Sequence, residues 1–237
     1  MKTDYIGTSG YSYSYWKNRF YPEGLPASKQ LDYYSKHFNT VELNYTFYRF
    51  PSVKALNAAA TGTSDDFLFS LKVHKSITHQ MRMKDAKEKI AEFMDITLEG
   101  LGTKLGCVLF QLPPSYSYSE ERLEDIIRNV PRHSRNVIEF RHTSWWKEDV
   151  YKALADAGLT FCSVSFPGLP ADNIMMGDVF YKRMHGVPEL FKSSYADDVL
   201  KSLSEEIPDN KTSFIYFNNT MYEAGYSNAK TLKECLH

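Results

Sequence analysis

Cysteine is scarce in this 237-residue chain: Cys107, Cys162 and Cys235 are odd in number, lie far apart and show no C-x-x-C spacing. Neither a metal-type nor a redox-type cysteine motif is present, and Cys107 and Cys162 read as small buried hydrophobes. Long apolar runs are missing as well, and none approaches membrane-spanning length. The opening MKTDYIGTSG lacks the charged-then-apolar pattern of a signal peptide. A cytoplasmic protein without membrane contact is the expectation. Nor is there an excess of one charge: 28 Lys+Arg against 29 Asp+Glu leave a formal net charge of −1. Wholesale attraction to nucleic acid or to an anionic membrane is thereby disfavoured. Lys and Arg are spread along the chain and balanced by acids, so nucleic acid is not a favoured partner. Low-complexity stretches, charge blocks and Pro/Gly/Ser linkers are absent too, and residues 1–237 are expected to form one domain.

What is present is a large apolar complement, 43% hydrophobic, with 17 Tyr and 15 Phe. Aromatic residues suit strands and pocket walls, so the composition favours a sheet-rich core with an amphipathic cleft. Short apolar strands alternate with amphipathic helices, the rhythm of βαβ units and parallel pairing. The expected strands are residues 5–9, 40–44, 67–73, 105–111, 136–141, 159–165, 179–185 and 212–218. Helical faces follow at Leu31/Tyr34/Phe38, Ile90/Phe93/Thr97/Leu101, Leu123/Ile126/Ile127/Val130, Val150/Leu154/Ala157 and Val199/Leu203/Ile207. Pro51 suits a helix N1 position, Ser117 with Glu120 resembles a capping box, and Ser144 precedes Glu148 and Asp149 as a cap would. The segment PGLPADNIMMG after the sixth strand is too short and Pro-rich for a full helix and predicts an irregular loop. Eight strands, each feeding a helix or loop, predict an α/β protein with a single (β/α)8 TIM-like barrel.

In such a barrel alternate strand residues point inward, and the functional site forms at the C-terminal strand ends. Counting back from each strand end gives Glu42 with Asn44, Ser70 with Lys72, Glu139 with Arg141, Ser163 with Ser165, Arg183 with His185, and Tyr216 with Asn218. Gln111 ends the fourth strand with Leu109 behind it. Glu42, Lys72, Glu139, Arg141 and Arg183 are thus gathered at one end, where burial obliges them to pair with one another or with a ligand. A self-satisfied ion network, such as Glu42–Lys72 or Glu139–Arg183, is the purely structural alternative. Flanking segments add Thr8, Ser9 and Tyr13 after the first strand, Tyr45, Phe47 and Tyr48 after the second, His79 after the third, and His142, Trp145 and Trp146 after the fifth.

The segments GTSGYSYSYWKNRFYP, FNTVELNYTFYRFP, FSLKVHKSITH, KLGCVLFQLPPS, IEFRHTSW, YKRMHG, YFNN and NAKTL occur in this order across nearly the whole chain. Together they resemble the YecE-like family (domain of unknown function 72). The resemblance implies a TIM-like barrel and, since that family has no established activity, no particular chemistry. It places the family's signature positions on Thr8, Ser9, Glu42, Asn44, Tyr48, Lys72, His79, Gln111, Glu139, Arg141, His142, Trp145, Arg183, His185, Asn218 and Asn219. One departure is Ser163 and Ser165, in a stretch where relatives commonly carry an Asp near the end of the sixth strand.

Three obligate donors, Lys72, Arg141 and Arg183, against two carboxylates suit a small anionic ligand that also bears hydroxyls or amides. The leading expectation is an enzyme acting on a small phosphorylated or acidic metabolite or on a phosphodiester. Glu139 or Glu42 would be general base, His185 or His79 the acid, and Lys72 and Arg141 the charge stabilisers. Glycoside hydrolysis by Glu42 and Glu139, with Trp145 stacking on sugar, is a second reading; the adjacent cations oppose the raised pKa its acid needs. A non-catalytic anion-binding protein is a third. No cofactor or metal is predicted. Glu42, Glu139, His79, His142 and His185 are metal-ligand types without metal-ligand spacing, and Lys72 and Arg141 would repel a divalent cation. The oligomeric state is not indicated.

Overall fold

The computed structural model describes residues 4–236. Each expected apolar run forms a strand. The first five are β1 (Asp4–Thr8), β2 (Thr40–Leu43), β3 (Leu68–Lys72), β4 (Leu105–Gln111) and β5 (Asn136–Glu139). The sixth run is broken in two at Cys162, as β6 (Thr160–Phe161) and β7 (Ser163–Ser165). The last two runs are β8 (Val179–Met184) and β9 (Thr212–Phe217). Helices α1 (Gln30–Ser35), α2 (Val53–Thr61), α3 (Lys87–Leu101), α4 (Glu120–Asn129), α5 (Glu148–Asp156), α6 (Asp197–Glu206) and α7 (Ala224–Cys235) lie between or after them. Residues 167–177 form neither helix nor strand, as their prolines dictate. Among the described residues no helix is long and apolar enough to cross a membrane.

Every strand pair is parallel, in the orders β1-β9-β8-β7 and β2-β3-β4-β5-β6. The two sheets meet where Ser9 bridges Glu42, with Gly10 N donating to the Glu42 carbonyl at 2.7 Å. At the other edge, only Cys162 separates β6 from β7. Gly7 permits the first approach: a Cβ there would sit 2.1 Å from the Thr40 carbonyl oxygen.

Side chains alternate between two buried layers, as a pleated strand requires. Phe180, Ile215 and Phe217 pack with helix residues such as Tyr34, Ile90, Phe93, Ile126 and Leu200. Val179, Tyr181, Phe214 and Tyr216 form a second cluster with Leu109, Cys107, Cys162 and Val164. The sixth run therefore presents Cys162 and Val164, not Ser163 and Ser165, to the layer shared with Leu109 and Tyr181. The two serines turn the other way: Ser163 Oγ accepts from Ile174 N at 2.9 Å, and Ser165 Oγ from Tyr195 OH at 2.8 Å. Counting parity back from the strand end fails here because the strand is interrupted.

Several helix starts also differ from the sequence expectation. Ser119, not Ser117, caps α4, accepting from Arg122 N at 3.3 Å, while Ser117 receives the Arg122 guanidinium. Ser52 caps α2, so Pro51 precedes the cap and is not N1. Ser144 caps nothing in α5; its hydroxyl accepts from Tyr118 N at 2.7 Å. On α6, Leu200 is buried and Val199 exposed, so the apolar face is shifted by one residue.

Candidate functional site

The strand ends carry a buried ion network built around Arg183, which β8 places with its side chain 1% exposed. Its Nη2 and Nε donate to Glu42 Oε1 at 2.7 and 3.1 Å, and its Nη1 donates to Glu139 Oε2 at 2.8 Å. Glu42 is fully buried and takes two more bonds, from Ser9 Oγ to Oε1 (2.7 Å) and from Tyr181 OH to Oε2 (2.5 Å). Glu139, also fully buried, forms an ion pair through Oε1 with Arg141 Nε, although neither atom makes an aligned hydrogen bond. Burial pushes the Glu139 carboxyl up, but Arg141 and Arg183 outweigh it and hold the group below the usual carboxylate range. One guanidinium thus neutralises parts of two carboxylates, and a second completes the balance.

Arg141 also fixes His185. Its Nη2 lies 3.1 Å from His185 Nε2. A guanidinium has no acceptor, so in this contact Nε2 offers its lone pair. Asn218 Nδ2 lies 2.8 Å from the other ring nitrogen, Nδ1. Glu139 Oε1, 3.6 Å from the same Nε2, therefore forms no ion pair with His185. Burial first, then Arg141 and Arg183, drive the His185 pKa well below its ordinary value.

Beside this network a pocket of ≈ 380 Å³ opens. Eight of the sixteen expected site residues line it: Asn44, Tyr48, Lys72, His79, Gln111, Arg141, Arg183 and Asn218. They come from the C-terminal ends of β2, β3, β4, β5, β8 and β9 and the segments just after them. Phe47, Phe166, Leu190, Phe191 and Pro114 supply apolar wall. His79 reaches the pocket from a single turn of π-helix, Ser76–Gln80, a geometry often found at functional sites. Three larger clefts, ≈ 750, ≈ 620 and ≈ 410 Å³, contain none of the expected site residues. The largest is lined by Leu105, Gly106 and Asn136, at the opposite ends of β4 and β5.

Lys72 differs from the two arginines. Its Nζ stands 3.9 Å from the Phe47 ring centre, and among the described residues it has no hydrogen bond or ion pair. Burial first and Arg183 second bring its pKa down to about 7. His79 is lowered to about 4 by burial, then by Lys72 and Arg141. Asn44 Oδ1 is buried and makes no hydrogen bond. Arg141 lies 4.2 Å over the Phe166 ring centre.

The other expected residues lie around the pocket in several different surroundings. Burial lowers the pKa of both His185 and His79 and disfavours their imidazolium forms. Glu42 and Glu139 are not among the residues lining the pocket, and their oxygens meet guanidinium and hydroxyl groups. Trp145 is fully buried against Phe140 and Tyr116, with its indole N–H donating to the Tyr116 carbonyl at 2.6 Å, so it offers no face for stacking on a ligand. His142 caps the short turn Thr143–Trp145, its Nδ1 accepting from Ser144 N at 3.3 Å. Thr8 and Asn219 turn toward the helices, Thr8 to Tyr34 of α1 and Asn219 to Asn228 of α7. Ser9 reaches the network only through Glu42 and Arg183. Of the two pairings named for a purely structural network, Glu139–Arg183 forms and Glu42–Lys72 does not, because Arg183 takes Glu42 as well. Tyr181 was not expected, although the parity that gave Arg183 and His185 reaches it one step further back. Phe166, Leu190 and Phe191 lie in irregular segments, where periodicity gives no signal. Among the described residues no three His, Cys, Asp or Glu side chains gather so as to hold a metal ion.

Residues 5–237 match the family described as Protein of unknown function DUF72. The chain is 28% identical to UPF0759 protein YunF of Bacillus subtilis (strain 168) over 156 residues, 62% of this chain and 54% of that protein. It is 26% identical to UPF0759 protein YecE of Escherichia coli (strain K12), over 65% and 54%. The chain thus matches about half the length of these curated relatives. A crystal structure of a DUF72 family protein from Thermotoga maritima MSB8 superposes with a TM-score of 0.87 at 32% identity, covering 98% of both chains. More distant likenesses show the fold alone and are TIM-barrel proteins, among them KGPDC from Streptococcus mutans (TM-score 0.51, 11% identity). With the parallel α/β architecture and strand-end pocket described above, these matches make the chain a member of the DUF72 (UPF0759, YecE-like) family with a TIM-barrel-like fold.

Proposed function

We propose that the strands close into one eight-stranded barrel, with β6 and β7 as halves of the sixth, and that its strand-end pocket binds a small anionic compound on which the protein acts. The observation that carries this is Lys72: a cation lining the pocket after both buried carboxylates have been taken by Arg183 and Arg141. A phosphate or carboxylate entering the pocket supplies the missing counter-charge. Arg141 stands on the same wall, and the unpartnered Asn44 Oδ1 is available to a ligand hydroxyl or amide. With Glu42 and Glu139 serving as a rigid frame, Lys72 is the group placed to move a proton.

Glycoside hydrolysis is not favoured, since its two carboxylates would both have to face the sugar. Isothermal titration with inorganic phosphate tests the proposal. One phosphate binds per chain, and Lys72→Met weakens it by about ten- to a hundredfold, the worth of one charge-assisted hydrogen bond. Equal affinity in the two proteins, or no binding to the wild type, contradicts it.

A further inference from the structure

We propose that Lys72 is a nucleophile that forms a Schiff base with a small aldehyde or ketone carrying a carboxylate or phosphate group. The inference rests on the anion-site reading above and names its substrate class. Four observations converge on it. The amine sits at the end of β3 and lines the pocket, so a bound molecule can reach it. Among the described residues no carboxylate forms an ion pair with its ammonium, because Arg183 spans Glu42 and Glu139 and Arg141 holds the remaining Glu139 oxygen. Its Nζ is packed over Phe47 without a hydrogen-bond partner, so no donor or acceptor of the protein blocks its lone pair. Arg141, stacked on Phe166, remains on the pocket wall to take the acidic end of the same molecule.

An amine kept desolvated beside fixed cations is the form of lysine that attacks carbonyl carbon. The lowered pKa of Lys72 agrees with this arrangement. Asn218, His185 and Arg141 form a chain of polar contacts at the same strand ends, holding Arg141 in place while Lys72 reacts.

The step balances without an added oxidant or reductant. The Nζ lone pair forms a C–N bond, and the carbonyl π pair moves to oxygen, which takes up the proton that nitrogen loses. The carbinolamine hydroxyl takes a second proton, from solvent in the open pocket, and leaves as water, while the nitrogen lone pair completes a protonated C=N bond. The positive imine is held where the lysine ammonium would have been, now with the substrate's own anionic group as counter-charge.

Borohydride trapping on the full chain decides the matter, with pyruvate and glycolaldehyde phosphate as separate probes. Hydride adds to the imine carbon and leaves a secondary amine. The expected product is a chain heavier by one probe molecule less one oxygen atom, with the added mass mapped by peptide sequencing to Lys72. Inorganic phosphate in excess suppresses the labelling, and Lys72→Met abolishes it. The key reading is made on the unaltered protein, so a poorly folding variant does not affect it. Isothermal titration with the same probes separates the two ideas. Binding of pyruvate or phosphate without labelling at Lys72 overturns the Schiff base and leaves the anion site standing. Labelling spread over exposed lysines and insensitive to phosphate also overturns it. Absence of both binding and labelling overturns the anion site as well.

Discussion

Lys72, Arg141 and Arg183 are of one charge type, yet the site gives them three different jobs. Arg183 is structural, spending its fork on two buried carboxylates. Arg141 is shared between Glu139 and His185. Lys72 alone of the three lacks an anion among the described residues. Its pKa of about 7 sets a pH dependence for a probe that does not itself titrate. Below about pH 7 the ammonium is present and attracts sulfate; above it the charge is lost. Sulfate affinity, measured by titration calorimetry, therefore falls as pH rises through and beyond about 7, the bound anion extending the fall upward. In Lys72→Met the dependence flattens, and an unchanged slope would remove Lys72 from the site. Glu42 predicts a different effect. Replacing it by Gln leaves the buried Arg183 short of charge compensation, which costs about 3–5 kcal/mol of stability by urea titration. A loss under about 1 kcal/mol would mean that Glu139 alone suffices to compensate Arg183. Strand parity made the membership of this cluster legible in the sequence. Who pairs with whom was legible only in part, because pairing depends on side-chain reach across the sheet: Glu139–Arg183 occurs, whereas Glu42 meets Arg183 rather than Lys72.

At the scale of elements, apolar periodicity located every strand and most helical faces, but local punctuation misplaced the helix starts. Ser117 and Ser119 are both competent caps by residue type, and the backbone geometry selects Ser119. Parity also failed on the sixth strand, whose break at Cys162 leaves Ser163 and Ser165 on the face away from the pocket. Neither serine lines the pocket, whereas Phe166, next along the chain, does. The contact between β1 and β2 rests on Gly7, and adding a methyl there forces it toward the Thr40 carbonyl at 2.1 Å. Gly7→Ala is expected to lower stability by about 3 kcal/mol in a denaturant titration. Gly62→Ala, where φ is −85° and the nearest atom is 3.3 Å away, changes it by less than about 1 kcal/mol. Similar values for both substitutions would show that the two sheets do not depend on that approach.

For the whole molecule, the alternation of strands and helices made the parallel α/β architecture readable, and the ordered motifs pointed to the family that the matches then established. The pocket was legible only by half. Its charged floor comes from strand ends, where parity applies. Its apolar wall comes from Phe166, Leu190 and Phe191 in loops whose course no local pattern encodes. Trp145 shows the converse error: an aromatic beside a predicted site proved to be a support for it, buried against Phe140. What unites the scales is one unbalanced charge in a pocket framed by balanced ones. A crystal structure determined at saturating inorganic phosphate tests that directly. Phosphate oxygens are expected within hydrogen-bond distance of Lys72 Nζ and the Arg141 guanidinium, whereas a pocket empty of phosphate at saturation would contradict the account.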